Sequence, residues 1–256
     1  MKHKTLFHSV IIILTFLLAF YGNKILNNFV EVSFPTYAGR VIYSYLWWVI
    51  PVIIVLSILF GFKNIFKELR LHKGFLFGLG FAFVLVLPML ISSAIIGEID
   101  ENMNFLDLFK KTVFAGFFEE FLFRGFLFGI LFRKLKWGFI PASLVGALIF
   151  GLGHLYQGSN TGETIGIFLV TFMGAGWFAW LFIEWKENLW VPVFLHIFMN
   201  LSWVLFDVGN NALGGYVTNI FRIITIALTV IITIIYNKRK DKFSINKKNL
   251  ITNQAG

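Results

Sequence analysis

The chain has 256 residues, 58% of them hydrophobic and 14% charged, with a mean hydropathy of +0.80. Soluble domains carry about 25% charged residues, so this composition excludes a soluble domain and indicates a polytopic membrane protein. The absence of cysteine excludes disulfides, thiolate metal sites and a lipoprotein anchor. The net charge of +9 gathers in loops and a tail, as orientation signals do, and excludes nucleic acid as a partner.

The first four residues, MKHK, precede an apolar run over 6–21 that has the outline of a secretory signal. The exit reads LLAFYGN, with bulky residues where a cleavage site needs small ones, so the run is expected to stay as a first span. Further apolar runs lie at 41–62, 74–96, 112–132, 139–155, 164–183, 189–206 and 219–236. Eight spans are therefore expected, in an all-α bundle. Alternating them from a cytoplasmic N-terminus puts 16 Lys and Arg inside and 5 outside, with Arg124 within a span. That bias predicts cytoplasmic termini. Residues 1–237 read as one transmembrane domain and 238–256 as a basic cytoplasmic tail. Between the third and fourth spans, 97–111 mixes Asp100, Glu101 and Asp107 with apolar residues and reads as an interfacial amphipathic stretch.

The fourth span carries FFEEFLFR, from Phe117 to Arg124. A charge at the centre of a membrane helix opposes insertion by about 2.5–3.5 kcal/mol on insertion scales, so three in one short stretch need an explanation. Glu120 and Arg124 share a face at i and i+4 and can pair. Glu119 is rotated by about 100° and has no local partner, which makes it a functional candidate. Other polar groups recur at a similar depth. His154 ends the fifth span, four residues after Phe150, and His196 and Asn200 share a face of the seventh.

Two chemistries fit a free glutamate, two histidines and an asparagine in a partly dry pocket. In one, Glu119 takes a proton from water while histidine and amide groups position that water and stabilise an oxyanion, as in hydrolysis of a carbonyl. In the other, Glu119, His154 and His196 hold zinc with water in the fourth position, although no HExxH motif is present. Two non-catalytic readings remain, a membrane immunity or binding protein and a proton-coupled transporter.

The motifs resemble those of the CPBP family of intramembrane proteases, which groups type II CAAX prenyl endopeptidases with bacterial Abi and bacteriocin-processing relatives. EExxxR, FxxxH and HxxxN occur here as EEFLFR at Glu119, FGLGH at Phe150 and HIFMN at His196, in the family's order. The resemblance implies an all-helical, eight-span fold in the cell membrane and endopeptidase activity on a membrane-associated peptide or protein. It implies that Glu119 with His154 activates water, that His196 with Asn200 holds the oxyanion, and that Glu120 and Arg124 brace the site. A glutamate mechanism without a metal cofactor is the favoured form, with peptide maturation or bacteriocin self-immunity as roles.

Overall fold

A computed structural model describes residues 2–30, 32–99, 103–209, 211–241 and 243–253, without the side chains of Lys2 and His3. Asp100, Glu101 and Lys242 lie outside the described residues. The chain is all-helical; among the described residues the only β pairing is a single bridge between Trp137 and Thr252. The helices are α1 (Lys2–Asn27), α2 (Tyr37–Phe60), α3 (Phe75–Ile96), α4 (105–133), α5 (Phe139–Gly153), α6 (Thr161–Glu184), α7 (Trp190–Val204) and α8 (Tyr216–Arg239).

Among the described residues, six helices are long and apolar enough to cross a membrane: α1, α2, α3, α5, α6 and α8. Their number, length and composition mark the chain as a multi-pass membrane protein. The other two expected spans differ from that pattern for physical reasons. Helix α7 has 15 residues, or about 22 Å of rise, against a hydrocarbon core of about 30 Å. Helix α4 carries the charged residues and changes pitch along its length. Its α-helical pieces, Phe105–Phe109, Ala115–Glu120 and Gly129–Arg133, alternate with π-helical turns at Lys110–Phe114 and Phe121–Phe128. Such π turns concentrate at functional sites.

Helix α4 is the core of the bundle. Every residue from Glu120 to Phe132 is buried, so Glu120 and Arg124 face protein rather than lipid. Close approaches of backbone place its neighbours. A Cβ on Gly116 would lie 2.6 Å from Ile197 Cγ1 and 2.8 Å from the Ile197 backbone nitrogen, so only glycine lets α4 and α7 meet there. Gly78 of α3 plays the same part against the backbone of Trp190. Helix α8 presents a buried polar stripe, in which Thr229 and Thr233 accept hydrogen bonds from the indole nitrogens of Trp177 on α6 and Trp185 just past its end.

The basic loops gather at one end of the bundle. There Lys134 pairs with Glu68 at 2.8 Å, Arg70 pairs with Glu187, and Asn188 Nδ2 donates to the Gly74 carbonyl. Residues 243–253 fold back onto this end. The carbonyls of Asn249, Leu250 and Ile251 accept from the backbone N–H groups of Phe139, Ile140 and Gly138, three donors that the first turn of α5 cannot satisfy itself. The buried carboxylate of Glu184 accepts from Asn237 Nδ2 and from the backbone nitrogens of Ser244 and Ile245.

Candidate active site

Glu119 and Glu120 close the short α-helical piece between the two π turns of α4. Adjacent on one helix, they meet different surroundings. Glu120 is fully buried and its Oε1 accepts from Arg124 Nη1 at 2.9 Å. The Arg124 guanidinium, itself 2% exposed, lies over the rings of Phe150 at 5.0 Å and Phe178 at 5.4 Å. A buried charge pair needs such compensation, because removal from water costs each ion several kcal/mol.

The same Oε1 of Glu120 lies 2.9 Å from Nδ1 of His196 on α7. An ionised carboxylate only accepts, so the Nδ1 hydrogen belongs to His196 and points at Glu120. The ring is thereby oriented with Nε2 towards Glu119 Oε2, 3.8 Å away. Glu119 keeps a side-chain exposure of 20%, against none for Glu120. It has one imidazole neighbour and one open side, which is the environment of a base that reaches water.

The other two motifs reach this cluster through Phe150 and His196. Phe150 contributes twice: its ring covers Arg124, and its carbonyl oxygen lies 2.7 Å from Nδ1 of His154. A carbonyl cannot donate, so neutral His154 also carries its hydrogen on Nδ1 and leaves Nε2 as an acceptor. On α7, Asn200 Nδ2 donates to the Lys111 carbonyl at 3.0 Å, within the first π turn, and retains a second N–H. The structure thus joins Glu119, Glu120, Arg124, Phe150 and His196 through direct contacts. It places His154 one turn beyond Phe150 and Asn200 one turn beyond His196.

Metal binding needs three or four side chains converging at about 2 Å from one point. Among the described residues no three His, Asp or Glu side chains gather in that way, and Glu119, His154 and His196 do not form such a set. No step below passes through a metal.

Several contacts had no signal in the sequence. The Glu120–His196 hydrogen bond joins residues 76 positions apart, and the motif spacing does not say which glutamate meets which histidine. Phe178, which covers Arg124 and lies 5.7 Å from the His196 ring, belongs to no motif. Tyr45 on α2 stacks on Phe118, the residue before Glu119, with centroids 4.5 Å apart; nothing in its neighbourhood marks it.

Residues 101–202 match the family model described as type II CAAX prenyl endopeptidase Rce1-like. No curated protein and no solved structure matches the chain. The matched segment runs from the start of α4 to near the end of α7 and contains all three motifs. This segment is therefore similar to the type II CAAX prenyl endopeptidases, in agreement with the resemblance carried by its three motifs.

Proposed function

We propose that the protein is a glutamate-dependent intramembrane endopeptidase of the cell membrane, hydrolysing a peptide bond in a membrane-associated peptide or protein. The observation that carries this reading is the division of labour between the two glutamates. Glu120 is consumed by Arg124 and His196, whereas Glu119 stays partly open beside an oriented imidazole.

In this mechanism the Glu119 carboxylate takes a proton from water, and the water oxygen adds to the scissile carbonyl carbon. Nε2 of His154 accepts the second hydrogen of that water and holds it in line. The oxyanion receives the free N–H of Asn200 and the Nε2–H of His196 in its protonated form. The proton on Glu119 then moves to the departing amine as the C–N bond breaks. One water is consumed, and an acid and an amine are released.

The topology belongs to the same reading. All eight helices cross, with both termini cytoplasmic and the site in the outer half of the bilayer. Two contacts support α7 as a short crossing helix. Trp190 Nε1 donates to the Leu71 carbonyl among the basic loops, and near the other end Trp203 stacks under Arg222 at 4.0 Å. Roles in peptide maturation or bacteriocin self-immunity fit an outward-facing site.

The test uses full-length protein in nanodiscs, incubated with a pool of membrane-associated peptides and read for new termini by mass spectrometry. Wild type, Glu119→Gln and a chelator-treated sample run side by side. Termini that vanish with Glu119→Gln and persist under chelator support the proposal. Loss under chelator replaces it with a metal mechanism, and binding of peptide without any new terminus replaces it with a binding protein.

A further inference from the structure

Between α2 and α3 the chain makes a detour that none of the steps above uses. Gly61 and Gly74, at φ of +85° and +83°, adopt backbone conformations open to glycine and turn the chain out of α2 and into α3. Between them lie a 3₁₀ turn at Phe62–Asn64 and a single α-helical turn at Ile65–Glu68. This segment has an inner and an outer side. Ile65, Glu68 and Leu69 are buried, whereas Phe62, Lys63, Phe66 and Lys67 are exposed.

The inner side is fastened to the two helices that carry most of the candidate site. Leu69 and Leu189, the residue before α7, close around Gly125 of α4. Glu68 Oε1 accepts from Lys134 Nζ at 2.8 Å, and the Glu68 carbonyl accepts from Arg133 Nη2. Arg70 pairs with Glu187 in the loop that leads into α7. Both carboxylates at this end are therefore engaged by cations of the protein itself.

The outer side has no such partners. Phe62 is 72% exposed and Phe66 67%, four positions apart on the same side. Lys63 and Lys67 repeat that spacing beside them, and among the described residues neither pairs with a carboxylate. A lysine that only orients a span needs no apolar neighbour, so the interleaved phenylalanines call for a second explanation. Exposed rings disfavour water, and lysines beside them disfavour hydrocarbon. The boundary between headgroups and acyl chains satisfies both. The segment joins the ends of two membrane-spanning helices, which places it at that boundary. Two unanswered cations select headgroups of net negative charge over zwitterionic ones.

We propose that residues 62–67 dock on anionic phospholipid, with Phe62 and Phe66 in the acyl boundary and Lys63 and Lys67 on headgroup phosphates. Through Glu68 and Leu69 the occupied segment braces the adjoining ends of α4 and α7. The proposal stands independently of the endopeptidase reading.

The experiment gives full-length protein in detergent micelles equal amounts of phosphatidylglycerol and phosphatidylcholine. Native mass spectrometry counts the retained lipid, and thermal unfolding is followed with each lipid alone. Wild type is expected to retain phosphatidylglycerol about tenfold over phosphatidylcholine, a factor that corresponds to about 1.4 kcal/mol. It is also expected to melt several degrees higher with the anionic lipid. Lys63→Gln with Lys67→Gln is expected to abolish both effects, and Phe62→Ser with Phe66→Ser to lower retention of both lipids. Lys247→Gln with Lys248→Gln removes the same charge from exposed positions of the tail at this end, and both effects are expected to survive it. Equal retention of the two lipids by wild type overturns the proposal, as does a preference that survives Lys63→Gln with Lys67→Gln. Loss of the preference in the tail variant makes it a response to overall charge and also overturns the site. Retention without a rise in melting temperature overturns the brace. The same rise with soluble glycerol phosphate gives the lysines to any phosphate and overturns the lipid. A dimer in the native spectra that disappears with Phe62→Ser and Phe66→Ser gives the face to a second copy of the chain and overturns it as well.

Discussion

Glu120 and His196 are joined by a 2.9 Å contact between Oε1 and Nδ1, and the same oxygen carries the ion pair to Arg124. One atom thus balances a buried guanidinium and sets the tautomer of the imidazole facing Glu119. Glu120→Gln strips the charge from this junction and leaves Arg124 uncompensated, at an expected cost of about 3–5 kcal/mol. Thermal unfolding in detergent measures it. Glu120→Gln combined with Arg124→Met is expected to recover most of that stability without recovering hydrolysis, because the imidazole stays unanchored. Recovery of both would reduce Glu120 to a counter-ion.

Gly116→Ala tests the approach of α4 to α7. Its methyl would lie 2.8 Å from the backbone nitrogen of Ile197, so the helices must separate. A shift of about 1 Å at a catalytic contact costs about 100-fold in rate, and a loss of that order in kcat/KM is expected. Ile197→Ala should not rescue it, since the backbone atom remains; rescue would place the obstruction in the side chain.

Removal of residues 243–256 takes away the acceptors of the first three N–H groups of α5 and two donors to buried Glu184. Each stranded buried polar group costs about 1–3 kcal/mol, so the melting temperature should fall by several degrees or more. Differential scanning fluorimetry reads it. An unchanged melting curve would mean that this segment contributes nothing to the fold.

Acid titration gives a smaller effect with a definite sign. The Tyr37 hydroxyl donates to Asp107 and, with the help of Asn104 and the charges of Lys111 and Lys110, holds that carboxyl below its ordinary value of 3.8. A group depressed in the folded state stabilises above its unfolded pKa, and the contribution disappears as pH falls through the folded one. Tyr37→Phe should flatten the decline in stability below about pH 4, measured by unfolding at stepped pH. A steeper decline would reverse the assignment.

The pairing of Glu120 with Arg124 is legible in their spacing, and so is the isolation of Glu119 from local partners. FGLGH and HIFMN mark the helices that close around them. What stays hidden is what helical periodicity cannot encode. The π turns at Lys110–Phe114 and Phe121–Phe128 look like ordinary apolar sequence, yet the first supplies the carbonyl that holds Asn200. Long-range choices, such as Glu120 rather than Glu119 for the Nδ1 of His196, depend on where α7 lands against Gly116. The span count depends on α4 and α7, whose length and charge depart from a lipid-facing helix because their neighbours shield them. In the tail, basic composition conceals the asparagines that tie it down. Asn253 Nδ2 donates to the Phe132 carbonyl, and Asn249 Nδ2 to that of Ser244.

That return of 243–253 to the start of α5 sets an order on biogenesis. The N–H groups of Gly138, Phe139 and Ile140 wait for carbonyls more than a hundred residues further along. During synthesis α5 enters the membrane with its leading turn open, and closure comes only after residue 251 has left the ribosome. Contacts of such separation form slowly, since a long loop must close before they are made. The helix that carries His154 is therefore fastened late at its far end, and a nascent chain caught before that step carries all the candidate site residues on a bundle still unlatched.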